Sequence, residues 1–369
     1  MKNKPIYKIT NLSLHLDYQL LSLLFILSAL GLGILYSASQ SHPAIFLKQS
    51  IHLVLAFFAL LFFSSIPPHK YKNASPYIYC FGLLLLITVM VIGKVGKGAQ
   101  RWLDLGIMRF QPSEIMKLAV PMMSAWYFAN QKGRLNFNNL AIGALIIFIP
   151  SLLIAKQPDL GTAISVAIGG LCVIFIAGVN INIMLGISFM GLALLPFLWH
   201  MLHDYQKQRI YTLLNPENDP LGSGYHIIQS KIAIGSGGLF GKGWLKGSQA
   251  HLNFLPEHAT DFIFAVNGEE FGFIGSIVLI MLIFLITLRG LNIAADAQTN
   301  YTRLLAASLI MSFFFAAFIN LGMVMGILPV VGIPLPLVSY GGSALITFLA
   351  TFGVLMSIST HRILFTQKL

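Results

Sequence analysis

The chain has 369 residues, of which 56% are hydrophobic and only 9% charged, with a mean hydropathy of +0.79. A water-soluble surface needs about a quarter of all residues charged, so soluble enzymes, secreted disulfide scaffolds and disordered tails are excluded. The net charge of +11 comes from basic residues scattered singly between apolar stretches, which speaks for membrane topology rather than for nucleic acid.

Ten apolar windows of roughly 18 residues or more predict membrane helices. They lie near 20–40, 45–66, 75–93, 113–130, 138–156, 159–178, 182–201, 264–289, 303–325 and 338–359. The predicted fold is an all-α integral membrane protein, a single polytopic domain over 1–369, with an extracytoplasmic loop at 201–265 between spans seven and eight. The first window is too long for a signal-peptide core of roughly 7–15 residues and is read as an uncleaved anchor. With the N-terminus inside, cytoplasmic segments carry eleven Lys and Arg and the short outer segments six, which places both termini in the cytoplasm. Only Asp17 and Asp296 of the twelve acids then lie inside, so acidic chemistry belongs to the outer face. Cys80 and Cys172 sit in apolar runs with no C-x-x-C spacing and are read as packing residues.

After the third span, Lys94, Lys97, Arg101 and Arg109 run against the charge bias. Basic charge kept on the translocated side points to an anionic ligand there, or to pairing with Asp104 and lipid phosphates. Gln111-Pro112-Ser113-Glu114 opens the next helix, with Ser113 as the expected N-cap and Pro112 stopping the preceding segment. Glu114 and Lys117, three residues apart, share a helix face and are expected to pair, as a structural ion pair or as part of a site. Between two spans, Gln157-Pro158-Asp159-Leu160-Gly161-Thr162 leaves almost no loop; Asp159 either caps the next helix or faces a water-filled cavity.

Within 201–265, the spacing of Tyr225, Ile228 and Ile232 predicts a short helix on the membrane surface. Gly235-Ser236-Gly237-Gly238-Leu239-Phe240-Gly241-Lys242-Gly243-Trp244 fails the nucleotide-loop pattern G-x-x-x-x-G-K-[ST], and no strand precedes it. It remains either a pyrophosphate-binding turn served by Lys242 and Lys246, or a hinge. Leu255-Pro256-Glu257-His258-Ala259-Thr260-Asp261, followed by Glu269 and Glu270, is the densest acidic group of the chain, and a partly desolvated carboxylate here suits a general base. His251 and His258 match no zinc-site spacing. Last, Pro329, Pro334 and Pro336 prevent a helix between Gly326 and Gly342, predicting a re-entrant wall that ends in Ser339-Tyr340-Gly341-Gly342-Ser343.

Taken together, these five separated motifs resemble, in order and over nearly the whole chain, the SEDS family of bacterial membrane glycosyltransferases (shape, elongation, division and sporulation). Gly238 to Trp244 followed by Leu255-Pro256-Glu257 looks like the RodA branch rather than the FtsW branch. The family usually has His-Thr-Asp where this chain has Ala259-Thr260-Asp261, with His258 one place earlier.

The resemblance implies polymerisation of lipid II into β-1,4 glycan strands with release of undecaprenyl pyrophosphate, at the outer face of the bacterial inner membrane, with Asp261 as the essential acid. It points to Arg101, Arg109, Lys117, Lys242 and Ser343 as binders of substrate or pyrophosphate, and to Glu114, Asp159, Glu257 and His258 in support. It also implies a class B penicillin-binding protein and the elongation proteins MreC and MreD as partners. A divalent cation, Mg or Mn, suits the leaving-group charge, and no nucleotide is called for. The competing reading is a lipid II flippase; against it, no two related halves are found and the acids gather on one face.

Overall fold

The computed structural model describes residues 15–39, 43–96, 99–104, 109–131, 135–179, 204–219, 222–251, 254–255 and 257–361, with isolated positions between 185 and 200. The helices are α1 (Tyr18–Ala38), α2 (Pro43–Ser64), α3 (Pro68–Ile92), α4 (Pro112–Ala129), α5 (Phe137–Lys156), α6 (Leu160–Ile176), α7 (Asp204–Leu214), α8 (Ser223–Ser236), α9 (Ile263–Ala295), α10 (Asn300–Val324) and α11 (Gly342–Thr360). Nine of the ten predicted windows fall on helices, and most of the tenth, 182–201, lies outside the described residues. Seven helices (α1, α2, α3, α5, α9, α10 and α11) are long and apolar enough to cross a membrane. Helix α6 is apolar but has 17 residues, and α4 opens with Pro112, Ser113, Glu114 and Lys117.

These helices are apolar on every side, so small and polar side chains mark the inward face. In α2 the buried residues are Gln49, Ala56, Leu60 and Ser64, one stripe at helical spacing that packs along α11, while Leu47, Val54, Phe58 and Phe62 stay exposed as a lipid face would be. One core cluster joins α1, α9, α10 and α11; a second joins α3, α4, α5 and α6. At the far end from the site described below, Arg289 of α9 makes a two-pronged pair with Asp17, at 2.6 and 3.2 Å, and Ser359 Oγ donates to the same carboxylate at 2.9 Å. Asp17 also caps α1 through Leu20 N–H; burial alone would raise its pKa, but these bonds hold it below the ordinary value.

Two expectations need correction. The fold is not purely helical: Lys94–Gly96, Ala99–Asp104 and Arg109–Phe110 form strands β1, β2 and β3 of an antiparallel sheet, with Val95 opposite Gln100 and Asp104 opposite Arg109. Backbone polar groups between two membrane helices must be paired, and adjacent strands do this within a short segment. Helix α8 forms where the spacing predicts it: it buries Ile227, Ser230 and Ala233 against α9 and α10, with Ser230 Oγ donating to the Val324 carbonyl at 2.8 Å, and leaves Ile232 on its outer side, 45% exposed. The second correction concerns the start of α4: Pro112 is its first residue rather than a stop before it. Ser113 therefore falls inside the helix, its Oγ buried with no hydrogen-bond partner among the described residues.

The predicted irregular wall between α10 and α11 is present, with Ile333, Leu335, Leu337 and Val338 buried in the core. Helix α9 is broken at Gly272, whose φ of 66° and ψ of −157° suit only glycine. The glycine-rich turn after α8 clasps this break. Phe273 and Ile274 N–H donate to the Gly238 and Leu239 carbonyls, while Lys242 and Gly243 N–H donate to the Glu269 and Glu270 carbonyls. Groups that a broken helix would leave unpaired are thereby satisfied.

Candidate active site

A cavity of about 200 Å³ opens between the two core clusters. Arg101 and Trp102 of β2, Gln111, Glu114 and Lys117 at the head of α4, Asp159 and Thr162 at the head of α6, and Ser343 at the head of α11 line it, with Gly332, Ile333 and Pro334 as the opposite wall. The sequence motifs at 98–117, 157–162 and 326–343, far apart along the chain, thus meet in one place.

Local chemistry explains each placement. Lys117 Nζ lies 2.6 Å from Glu114 Oε1, the predicted pair, and 5.7 Å from the centre of the Phe348 ring. Asp159 caps α6, with Oδ1 accepting the Thr162 N–H at 3.2 Å, and lines the cavity, with Oδ2 accepting from Gln111 Nε2 at 2.8 Å. Arg101 Nε donates to the Gln157 carbonyl at 3.0 Å and Nη2 to the Pro158 carbonyl, so two backbone carbonyls orient its guanidinium.

The side chains Arg101 and Lys117 balance Glu114 and Asp159 in formal charge. Positive field also comes from the backbone, because the N-termini of α4, α6 and α11 all reach the cavity and each carries roughly half a positive charge. Helix α11 has no acid in its first turn and no side-chain cap bond, so its end is the least compensated of the three. Such a site favours an anion.

Asp261 stands at the edge of this cavity, on the turn that leads into α9. A Cβ built at Gly332 would lie 3.6 Å from Asp261 Oδ2, which places the carboxylate against the cavity wall. The turn is fastened to that wall: Ser339 Oγ donates to the Thr260 carbonyl at 2.6 Å, Tyr340 N–H to the Ala259 carbonyl at 2.9 Å, and Asn320 Nδ2 to the Asp261 carbonyl at 2.9 Å. Glu257 builds the turn instead of lining the cavity. Its carbonyl accepts the Thr260 and Phe262 N–H groups, and its Oε2 accepts Thr260 Oγ1 at 2.8 Å. His258 Nδ1 donates to the Leu255 carbonyl at 2.8 Å and braces the same turn.

Two predicted binders are placed otherwise. Lys242 is not among the cavity-lining residues: its ammonium sits 2.6 Å from the fully buried Glu269, whose carboxylate also accepts the Ser248 and Gln249 N–H groups. The amides of Lys242 and Gly243 are spent on the α9 break, so this turn serves as a clasp. Arg109 pairs through its backbone with Asp104 in the sheet, and its side chain lies outside the described part of the structure.

Four residues not singled out in the sequence also shape the site: Gln49, Gln111, Asn320 and His226. His226 of α8 stacks on Phe262, the neighbour of Asp261, with ring centres 5.7 Å apart. Burial lowers its pKa, against the smaller opposing pull of Glu257 and Asp219. Gln49, Asn320 and His226 are single polar residues in apolar or mixed helices with no spacing to mark them, and Gln111 is the residue before Pro112 at the start of α4.

Comparison with known proteins follows the same lines. The cell cycle protein family model of FtsW, RodA and SpoVE matches residues 10–363. The peptidoglycan glycosyltransferase MrdB of Escherichia coli K12 is 50% identical over 349 residues, covering 94% of each chain, and the peptidoglycan glycosyltransferase RodA of Treponema pallidum is 32% identical over 94% of this chain and 98% of its own. Among solved structures, the rod shape determining protein RodA of Thermus thermophilus superposes with a TM-score of 0.71 at 29% identity, over 94% of this chain and 98% of that one. A chain of a peptidoglycan synthase complex superposes with a TM-score of 0.81 at 32% identity, over 93% and 97%. A match over nearly the full length, at up to half of all positions, shows that this chain belongs to the FtsW, RodA and SpoVE family of cell cycle proteins.

Proposed function

We propose that this chain is a peptidoglycan glycosyltransferase that polymerises lipid II into β-1,4 glycan strands. The observation that carries the proposal is the placement of Asp261 against the wall of a cavity on which three helix N-termini converge. Outside the membrane there is no ATP, so a new glycosidic bond must draw on an activated donor, and a sugar on lipid pyrophosphate is one. Asp261 takes the proton from the acceptor's 4-hydroxyl as that oxygen attacks the donor's anomeric carbon. The bond from that carbon to the pyrophosphate breaks, its electron pair leaves with undecaprenyl pyrophosphate, and the α-linkage inverts to β. One base suffices because the pyrophosphate leaves without protonation, unlike the two-carboxylate arrangement of glycoside hydrolysis. Arg101, Lys117, Ser343 and the end of α11, which line the cavity, stabilise the charge that develops on it.

Mg or Mn would add to that stabilisation. Asp159 and Asp261 offer carboxylate oxygens, and no cluster of three His, Cys, Asp or Glu suited to a metal occurs among the described residues. The donor set fits a cation held largely by phosphate and water, as magnesium commonly is. The charge bias supports both termini in the cytoplasm of a bacterial inner membrane and the cavity on its outer face, with ten spans once 182–201 is included. Similarity to a chain of a peptidoglycan synthase complex supports a class B penicillin-binding protein as partner. MreC and MreD follow from the family resemblance.

The test is polymerisation of purified lipid II by the detergent-solubilised chain with its penicillin-binding partner. Asp261→Ala, folded as wild type, is expected to make no polymer, and normal polymer from it would remove Asp261 from the chemistry. If wild type makes no polymer yet moves lipid II across vesicles, the flippase reading replaces this one.

A further inference from the structure

Asn320 is a carboxamide with 0% exposure, inside the apolar helix α10 between the buried residues Ala316, Ala317, Leu321 and Val324. A polar group there is costly unless its hydrogen bonds are made, and a leucine would fill the same space at no such cost. Both protons of its amide are used. Nδ2 donates to the carbonyl of Asp261 at 2.9 Å and to the carbonyl of Ile333 at 2.8 Å.

These two carbonyls belong to segments that no helix organises. One is the main chain of Asp261 itself. The other is in the cavity wall, one residue from Gly332, which faces Asp261 Oδ2. One buried amide therefore ties the main chain of Asp261 to the wall against which its carboxylate lies. Ser339 and Tyr340 tether the turn through Thr260 and Ala259, upstream of the acid. The bond from Asn320 acts at the acid.

We propose that Asn320 is a positioning residue for Asp261, holding its carboxylate at a fixed distance from the cavity wall, a proposal that rests on Asp261 being the base. It touches no substrate. Its effect is on geometry, where an error of about 1 Å can cost about a hundredfold in rate. Loss of the amide should thus appear in kcat and leave KM nearly unchanged.

The experiment measures lipid II polymerisation by the full chain with its penicillin-binding partner for wild type, Asn320→Leu, Asn320→Asp and Asp261→Ala, with melting temperature and gel filtration recorded for each. Asn320→Leu keeps the volume, and Asn320→Asp keeps the shape and an oxygen but lacks the two N–H donors. Both are expected to lower kcat by about 10- to 100-fold with KM within about twofold, and to melt below wild type while remaining folded, because each leaves the Asp261 and Ile333 carbonyls without their donor. Wild-type kcat in either folded variant, or a raised KM at unchanged kcat, overturns the proposal. Failure of both variants to fold assigns Asn320 to the fold alone and overturns it too. Full activity of Asp261→Ala removes the base assignment whatever Asn320 does, whereas an inactive Asp261→Ala beside fully active Asn320 variants removes only the positioning role.

Discussion

Gln49 of α2 grips the chain on both sides of Tyr340: its Nε2 donates to the Ser339 carbonyl at 3.1 Å, and its Oε1 accepts the Gly341 N–H at 3.2 Å. Through Ser339, which donates to the Thr260 carbonyl, this grip extends from a membrane helix to the turn that bears Asp261. Gln49→Leu would leave a buried carbonyl and a buried N–H unpaired, at about 1–3 kcal/mol each. The expected result is a lower melting temperature together with reduced polymerisation, whereas Gln49→Glu, which keeps the acceptor, should lose less. Differential scanning fluorimetry beside a lipid II assay checks both.

Glu114 and Lys117 are a buried pair, with side chains 6% and 16% exposed. Removing one partner of a buried pair strands the other charge and typically costs about 3–5 kcal/mol, more than replacing both with apolar groups. Lys117→Met alone should therefore destabilise the protein more than Glu114→Leu with Lys117→Met. Polymerisation should be low in both, because Lys117 is also a charge at the cavity. A double variant melting below the single one would contradict the assignment.

At Gly272 the backbone lies in a region that only glycine enters readily, and a Cβ there would sit 2.3 Å from Gly241 N and 2.7 Å from the Leu239 carbonyl oxygen. Gly272→Ala is expected to cost about 1–3 kcal/mol from backbone strain, with more from pushing the clasp away. Gly33→Ala, where a Cβ meets nothing within 4 Å, is the control and should melt within a few degrees of wild type.

Burial lowers the pKa of His226 beneath its ordinary value of 6.5. The unfolded chain therefore binds more protons than the folded one just below pH 6.5, so the His226 contribution is complete above that pH and is lost as pH falls toward the folded value. Melting temperature should drop between pH 7.5 and pH 5.5. His226→Phe keeps the stack on Phe262 without titrating, and should flatten that part of the profile. An identical drop in both proteins would assign the pH dependence to other groups.

What could be read without coordinates was local or compositional. Composition identified a membrane protein, apolar runs located nine helices, and three-residue spacing foretold the pair Glu114–Lys117, because on a helix such neighbours meet whatever the rest of the chain does. Asp159 as a cap was legible for the same reason, and Asp261 stood out as an acid in a dense group within a family motif. The partners of Gln49, Asn320 and Lys242 were not legible. They lie 290, 59 and 27 residues away; Gln49 and Asn320 are single polar residues in apolar helices, with no period that reveals which face turns inward, and Lys242 sits in a turn with no period at all. Only the packed structure decides that face, and with it that the glycine turn clasps the break in α9, since the Glu269 and Glu270 carbonyls are free to accept the Lys242 and Gly243 N–H groups only once the helix is bent at Gly272.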